Sequence, residues 1–163
     1  MLVVGTGTRT LKGADWNAMR STLSERITQA GVTHVLSGGA RGYDHCLASA
    51  AKRAGVGFTL VLPSPDFGAY YWWKQAGYDE ALLARWAEMT QYADDIVHIN
   101  ETPMGSNGRY GGSNYDRNIA MLAMGAEEAG SQLWVYNPRK AGGTQHCVNA
   151  NRDGGFNLEV VEL

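Results

Sequence analysis

The sequence predicts an α/β domain, an open and mainly parallel sheet with helices on both faces. Across residues 2–62 short apolar runs alternate with amphipathic helical stretches, in the order strand, helix, strand, helix, strand. Parallel strands with right-handed crossovers follow from that alternation. Two of the apolar runs also break into glycine-rich turns that lead into helices, at Ser37–Asp44 and at Ala141–Thr144. Such turns lie at the carboxyl ends of strands, where open α/β sheets bind ligands. A length of 163 residues suits one domain with a proper core.

Leu2 to Val4 reads as a buried first strand opening into the polar stretch Gly5-Thr6-Gly7-Thr8-Arg9. This stretch is not a full dinucleotide fingerprint, because the sixth position of G-x-G-x-x-G would be Thr10. Gly5, Thr6 and Arg9 nevertheless join the candidate ligand contacts. Trp16, Met19, Leu23, Ile27 and Ala30 recur at three- and four-residue steps between Asp15 and Gly31, which marks an amphipathic helix.

Val32 to Ser37 returns to strand character and breaks into Ser37-Gly38-Gly39-Ala40-Arg41-Gly42-Tyr43-Asp44. The following helix, from Asp44 to about Ala54, has Leu47, Ala50, Ala51 and Ala54 on one face, so its unpaired amides would point back into the turn. Glycines admit close backbone approach, a helix N-terminus attracts anions, and Arg41 adds a planar cation suited to phosphate. The expectation is a phosphate cradle made by Ser37, Gly38, Gly39, Ala40, Arg41 and Gly42 with Asp44. A tight strand-to-helix connection without a ligand is the alternative.

A third strand, Phe58–Leu62, ends at Pro63-Ser64-Pro65. The segment from Phe67 to Tyr92 is crowded with aromatic residues and reads as two helices broken near Gly77, the second with Leu82, Leu83, Trp86 and Met89 on one face. Five tryptophans and eight tyrosines are many for one small domain, so the segment is expected to pack a core or a homodimer interface rather than nucleobases. A fourth strand, Ile96–Ile99, precedes a long loop over residues 100–113. The helix that follows opens with Asn114-Tyr115-Asp116-Arg117-Asn118, and places Arg117 and Asn118 among the candidates.

A fifth strand, Leu133–Tyr136, leads to Gly142-Gly143-Thr144, a last short helix from about Val148, and a closing strand, Leu158–Leu163. The two glycine turns, at the carboxyl ends of neighbouring parallel strands, would converge on one crevice for phosphate and sugar. Two His-Cys pairs, His45-Cys46 and His146-Cys147, lack the spacings that place two metal ligands on one face, so no metal and no cofactor are expected.

A net charge of −2 argues against a protein built to neutralise a long nucleic-acid backbone. Two cysteines without disulfide spacing, no apolar run long enough for a bilayer, and an N-terminus without a signal-peptide pattern fit the cytoplasm.

The ordered set of Ser37–Asp44, Asp116-Arg117-Asn118 and Gly142-Gly143-Thr144 resembles the SLOG superfamily of Rossmann-like proteins. The aromatic segment and the run Tyr92-Ala93-Asp94-Asp95-Ile96-Val97 make its YpsA-like branch the nearest match. The resemblance implies a three-layer α/β/α fold over residues 1–163, a nucleotide or nucleotide-derived ligand at the carboxyl ends of the strands, and a homodimer.

It also implies two alternatives. Lonely Guy enzymes of this superfamily hydrolyse the N-glycosidic bond of nucleoside monophosphates with an arginine and a glutamate. Arg117 matches the arginine, but the glutamate position falls on Cys147, so Asp44 or Asp116 would have to substitute. DprA relatives bind single-stranded DNA, a reading that the mild negative charge does not favour.

Overall fold

The apolar runs Leu2–Gly7 (β1), His34–Ser37 (β2), Gly57–Leu62 (β3), Asp95–His98 (β4) and Gln132–Tyr136 (β5), with the closing Glu159–Glu162 (β6), make one six-stranded sheet. The strand order is β4-β3-β2-β1-β5-β6, and every pairing is parallel. This computed structural model describes residues 1–68, 71–72, 77, 79–103 and 110–163, without the side chains of 110–113.

Successive side chains of a strand point to opposite faces, and the core divides accordingly. Val3, Val35 and Leu60 meet Leu23 and Ile27 of α1 (Gly13–Gln29), Leu47 and Ala51 of α2 (Tyr43–Arg53), and Met89 of α3 (Glu80–Tyr92). Val4, Leu36, Val61 and Leu133 meet Met121 and Leu122 of α4 (Tyr110–Ala126) and Cys147 of α5 (Gly142–Asp153). The result is the expected three-layer α/β/α arrangement. No helix among the described residues is long and apolar enough to cross a membrane.

Among the differences from what the sequence predicts, three boundaries and one adjacency have a physical reason. β1 continues through Gly5 to Gly7, because Gly5, Thr6 and Gly7 pair with Trp134, Val135 and Tyr136. The glycines are there for packing: a Cβ on Gly5 would overlap Leu47, and one on Gly7 would overlap Tyr43, both from α2. α4 begins at Tyr110, four residues before the apolar pattern that marks it in the sequence. α5 begins at Gly142, and its polar first turns hide it from periodicity. The glycine turns also do not leave neighbouring strands, since β1 lies between β2 and β5.

Of the described aromatic residues in the segment from Phe67 to Tyr92, three are internal, Trp86 is half-buried and Tyr92 is exposed. Phe67, Tyr71 and Trp72 are buried, with Phe67 stacked on Tyr71 at 4.7 Å and Trp72 against Trp86 at 5.5 Å. Of the second predicted helix, Met89 is buried, Leu82 and Trp86 pack on the core, and Leu83 is exposed. Tyr70, Trp73, Tyr78 and part of the loop over 100–113 lie outside the described residues. The premise that one chain cannot bury its aromatics fails for Phe67, Tyr71 and Trp72, which removes the packing argument for a dimer through them.

Candidate functional site

The chain turns back on itself between β1 and β5: β1 to β4 are laid down in one direction, and β5 starts the other. A crevice opens at the carboxyl ends of the strands at such a point. It holds a cleft of about 320 Å³ here, lined from β1 by Thr6 and Gly7, from the next loop by Thr8 to Thr10, and from the α5 start by Ala141 to Thr144. Ala40 and Asp44 contribute from the first glycine turn, and Asn114, Arg117 and Asn118 from α4.

The first turn is a closed hydrogen-bonded unit. The Gly39 amide donates to Ser37 Oγ at 3.3 Å, the Ala40 amide donates to Asp44 Oδ2 at 3.3 Å, and Ser37 Oγ donates to the Asp44 carbonyl at 2.9 Å. Its carbonyls are used as well: Gly38 accepts from Arg117 Nη1, and Gly39 accepts from Trp72 Nε1 at 2.8 Å. Gly42 caps α2 at φ 82°, where a Cβ would collide with the Thr8 carbonyl. Ser37, Gly38, Gly39 and Gly42 therefore build the floor beneath the cleft through buried contacts.

That floor holds two buried groups of opposite charge, Asp44 and Arg117, which act on each other without a salt-bridge contact. Burial pushes the Asp44 carboxyl up to about 6, against the opposing pull of Arg117. Burial also lowers the Arg117 guanidinium from its usual range, opposed by Asp44. Arg117 Nε donates to Asn118 Oδ1 at 3.0 Å, and Asn118 Nδ2 donates to the Gly143 carbonyl at 3.3 Å, so one chain of contacts ties the two glycine turns together.

The second turn is open. Ala141 caps α5 with no side-chain acceptor, so the first-turn amides beside Gly143 and Thr144 face the cleft without a capping side chain. Arg9 and Arg139 line the same cleft, and among its described lining residues Asp44 is the single carboxyl facing Arg9, Arg117 and Arg139. An anion at this point meets helix amides and two exposed arginines at once.

Of the candidate residues read from the sequence, Thr6, Arg9, Ala40, Asp44, Arg117, Asn118, Gly142, Gly143 and Thr144 come together. Gly5 lies in the sheet under α2. Arg41 does not line the cleft: it is half-buried, with its guanidinium 5.7 Å from the centre of the Tyr71 ring, and Arg9 stands 5.8 Å from the same ring. Asp116 is exposed on α4 and is not among the lining residues.

Asn114, from the polar head of α4 that the sequence marks, also lines the cleft, as do Asn137, Arg139 and Tyr71, which the sequence did not single out. Arg139 and Asn137 could have been found, because they lie in the loop between a strand and a glycine pair. Tyr71 carried no signal apart from its aromatic neighbours.

Cys147 is fully buried, and burial pushes its thiol up to about 12 despite Arg117 and a hydrogen bond with Thr6. It is a neutral core group at physiological pH. Cys46 is likewise buried, donates from Sγ to the Trp16 carbonyl at 3.4 Å, and is pushed up to about 12. The two His-Cys pairs do not meet: His45 packs on Trp16 at 4.9 Å, and His146 stacks on Tyr115 at 4.0 Å.

Solved structures share this arrangement of strands and helices. The DNA processing protein A (DprA) of Streptococcus pneumoniae superposes over 98% of this chain and 49% of its own, with a TM-score of 0.58 and 14% identity. The structure from Helicobacter pylori, described as showing a single-stranded DNA binding mode of DprA, matches over 98% of this chain and 64% of its own at TM-score 0.58 and 18% identity. The fold is Rossmann-like. This Rossmann-like chain spans between about half and two thirds of the DprA chains it resembles. The Moco carrier protein of Chlamydomonas reinhardtii aligns over 98% of this chain and 88% of its own, at 18% identity and TM-score 0.43. No family model and no curated protein matches the Rossmann-like chain.

Proposed function

We propose that this protein is a SLOG-type, YpsA-like ligand-binding protein whose cleft between β1 and β5 holds a nucleotide or nucleotide-derived phosphate ligand. The observation that carries the proposal is the uncapped N-terminus of α5 facing Arg9 and Arg139 in one cleft. A phosphate would accept from the amides near Gly143 and Thr144 and from the two arginines. A volume of about 320 Å³ is on the scale of a mononucleotide. Tyr115, 43% exposed and stacked on His146, lies beside Gly143 but outside the cleft's lining residues, where it would offer a base a flat surface at the rim.

The test is calorimetric titration with AMP, GMP and ADP. Saturable binding that weakens in Arg139→Ala and Arg9→Ala supports the reading, and no binding of any phosphorylated nucleotide ends it. A short oligothymidine, titrated at low and high salt, tests the single-stranded nucleic-acid reading that the DprA likeness suggests. Binding that falls steeply with salt would favour that reading.

One observation keeps a hydrolase as the second reading. Asp44 lines the cleft beside Arg117 with its carboxyl pushed up to about 6, a suitable range for proton transfer. Release of free base from AMP, abolished in Asp44→Asn, would establish it. Homodimerisation is proposed on the family resemblance alone, and a monomer by sedimentation at micromolar concentration would remove it.

A further inference from the structure

A second cleft lies in the layer formed by α1, α2 and α3, and it shares no lining residue with the first. Its origin is local. α2 presents Ala48 and Ser49 at this point, so α1 and α3 stand apart over a floor of small side chains and leave a cleft of about 300 Å³. Trp16 of α1 forms one wall, packed on His45 at 4.9 Å. Tyr92 of α3 lies opposite, with Lys52 Nζ 3.0 Å from its ring centre.

The charge in this cleft is out of balance. Arg20, Lys52 and Arg85 line it, and Glu88 is the single carboxyl among its described lining residues. Glu88 is engaged with Lys52 at 3.4 Å, which leaves both arginines without a countercharge in the cleft. Arg20 lies 5.2 Å from the Trp16 ring, and its buried Nε has no hydrogen-bond partner. Arg20 and Arg85 line this one cleft together with His45, which burial, then Arg85 and Arg20 against Glu88, hold near 4 and therefore neutral at physiological pH.

We propose that this second cleft binds a small organic anion with a flat apolar body. The anionic head would sit between Arg20 and Arg85 and satisfy Arg20 Nε, while the body would lie against Trp16 over Ala48 and Ser49. Arginine in this role supplies both a charge and fixed donors. The competing account is that the long basic side chains only cover the aromatic wall with their stems.

The two accounts separate by experiment on the full chain. The probes are naphthalene-2-carboxylate and its uncharged carboxamide, followed by ligand-observed NMR and calorimetry. The expected result is that the carboxylate binds at least tenfold more tightly than the carboxamide, and that Arg20→Gln weakens the carboxylate by roughly tenfold. Ser49→Phe, which fills the floor, should abolish binding of both probes. No carboxylate binding at millimolar concentration, equal affinity for the two probes, or an affinity unchanged in Arg20→Gln would each overturn the proposal. Arg20→Gln replaces a partly exposed side chain, so the test survives if Ser49→Phe fails to fold.

Discussion

The two glycine turns look alike in sequence and differ in how their backbone groups are engaged. Both follow a strand and lead into a helix, but the turn after β2 closes on itself while the turn after β5 stays open. In the first, the amides of Gly39 and Ala40 and the carbonyls of Gly38 and Gly39 are all engaged by side chains of the protein. In the second, side chains engage the Ala141 amide and the Gly143 carbonyl, and α5 starts on Ala141 with no capping side chain; α2 lacks one too, but its amides at Tyr43 and His45 donate to the Thr8 and Ala40 carbonyls. A glycine pair therefore signals close backbone approach, and the approaching group can be the protein's own. An anion-binding reading needs donors that remain unspent.

The largest expected effect comes from the closed turn. Arg117→Met should destabilise the fold by about 3 kcal/mol, because it leaves the buried Gly38 carbonyl without its donor and removes the main countercharge of buried Asp44. Urea unfolding measures this. A loss below about 1 kcal/mol, the scale of an exposed pair, would mean that the turn does not depend on α4.

Next comes a direct comparison of one glycine from each turn. Both Gly42 and Gly142 have positive φ, at 82° and 71°, but a Cβ on Gly42 would strike the Thr8 carbonyl while one on Gly142 meets nothing within 4 Å. Gly42→Ala should cost about 3 kcal/mol through strain and collision together, and Gly142→Ala about 1–2 kcal/mol through backbone strain alone. Equal melting temperatures for the two variants would erase the distinction.

On ligand affinity the ranking should reverse. Arg139→Ala, beside the open turn, should weaken AMP binding by about 1–2 kcal/mol, and Arg41→Ala, beside the closed turn, by less. A larger effect at Arg41 in calorimetry would restore the first turn as the anion site.

The last prediction concerns pH. Asp44 is raised from 3.8 to about 6 in the fold, so between those values the folded state holds its proton more tightly than the unfolded chain. Its contribution to stability therefore falls as pH rises through that window. Protonation also removes the negative charge from the cleft. Sulfate, whose own charge does not change there, should bind more tightly as pH is lowered from about 8 towards 5.5, and Asp44→Asn should flatten that dependence. A parent protein with pH-independent sulfate affinity would contradict the assignment.

The sheet was legible in the sequence because the apolar runs are short, strong and bounded by glycine or proline. Strand order was not, since alternation fixes the hand of each crossover and leaves open where the chain reverses. The start of α5 was hidden because Thr144, Gln145 and His146 break the apolar period and Ala141 gives no capping signature. β1 was cut short at Gly5 because a strand position vacated for Leu47 looks, in one dimension, like the beginning of a loop. In the site, Arg117 and Asp44 were visible as charged residues near glycine turns. Their mutual burial was not visible, because it depends on α4 crossing the sheet.

The bond from Arg117 to Gly38 spans 79 residues of chain, and this bears on the order of folding. A chain that has assembled only β1 to β3 has the first turn's backbone but no donor for the Gly38 carbonyl, and of the arginines that act on Asp44 it holds Arg9 but lacks the stronger, Arg117. Closure over such a separation carries a substantial entropy cost, so the cleft floor should consolidate late. Occupancy would then report completed folding, and a bound ligand should raise resistance to global unfolding rather than protect one lobe alone.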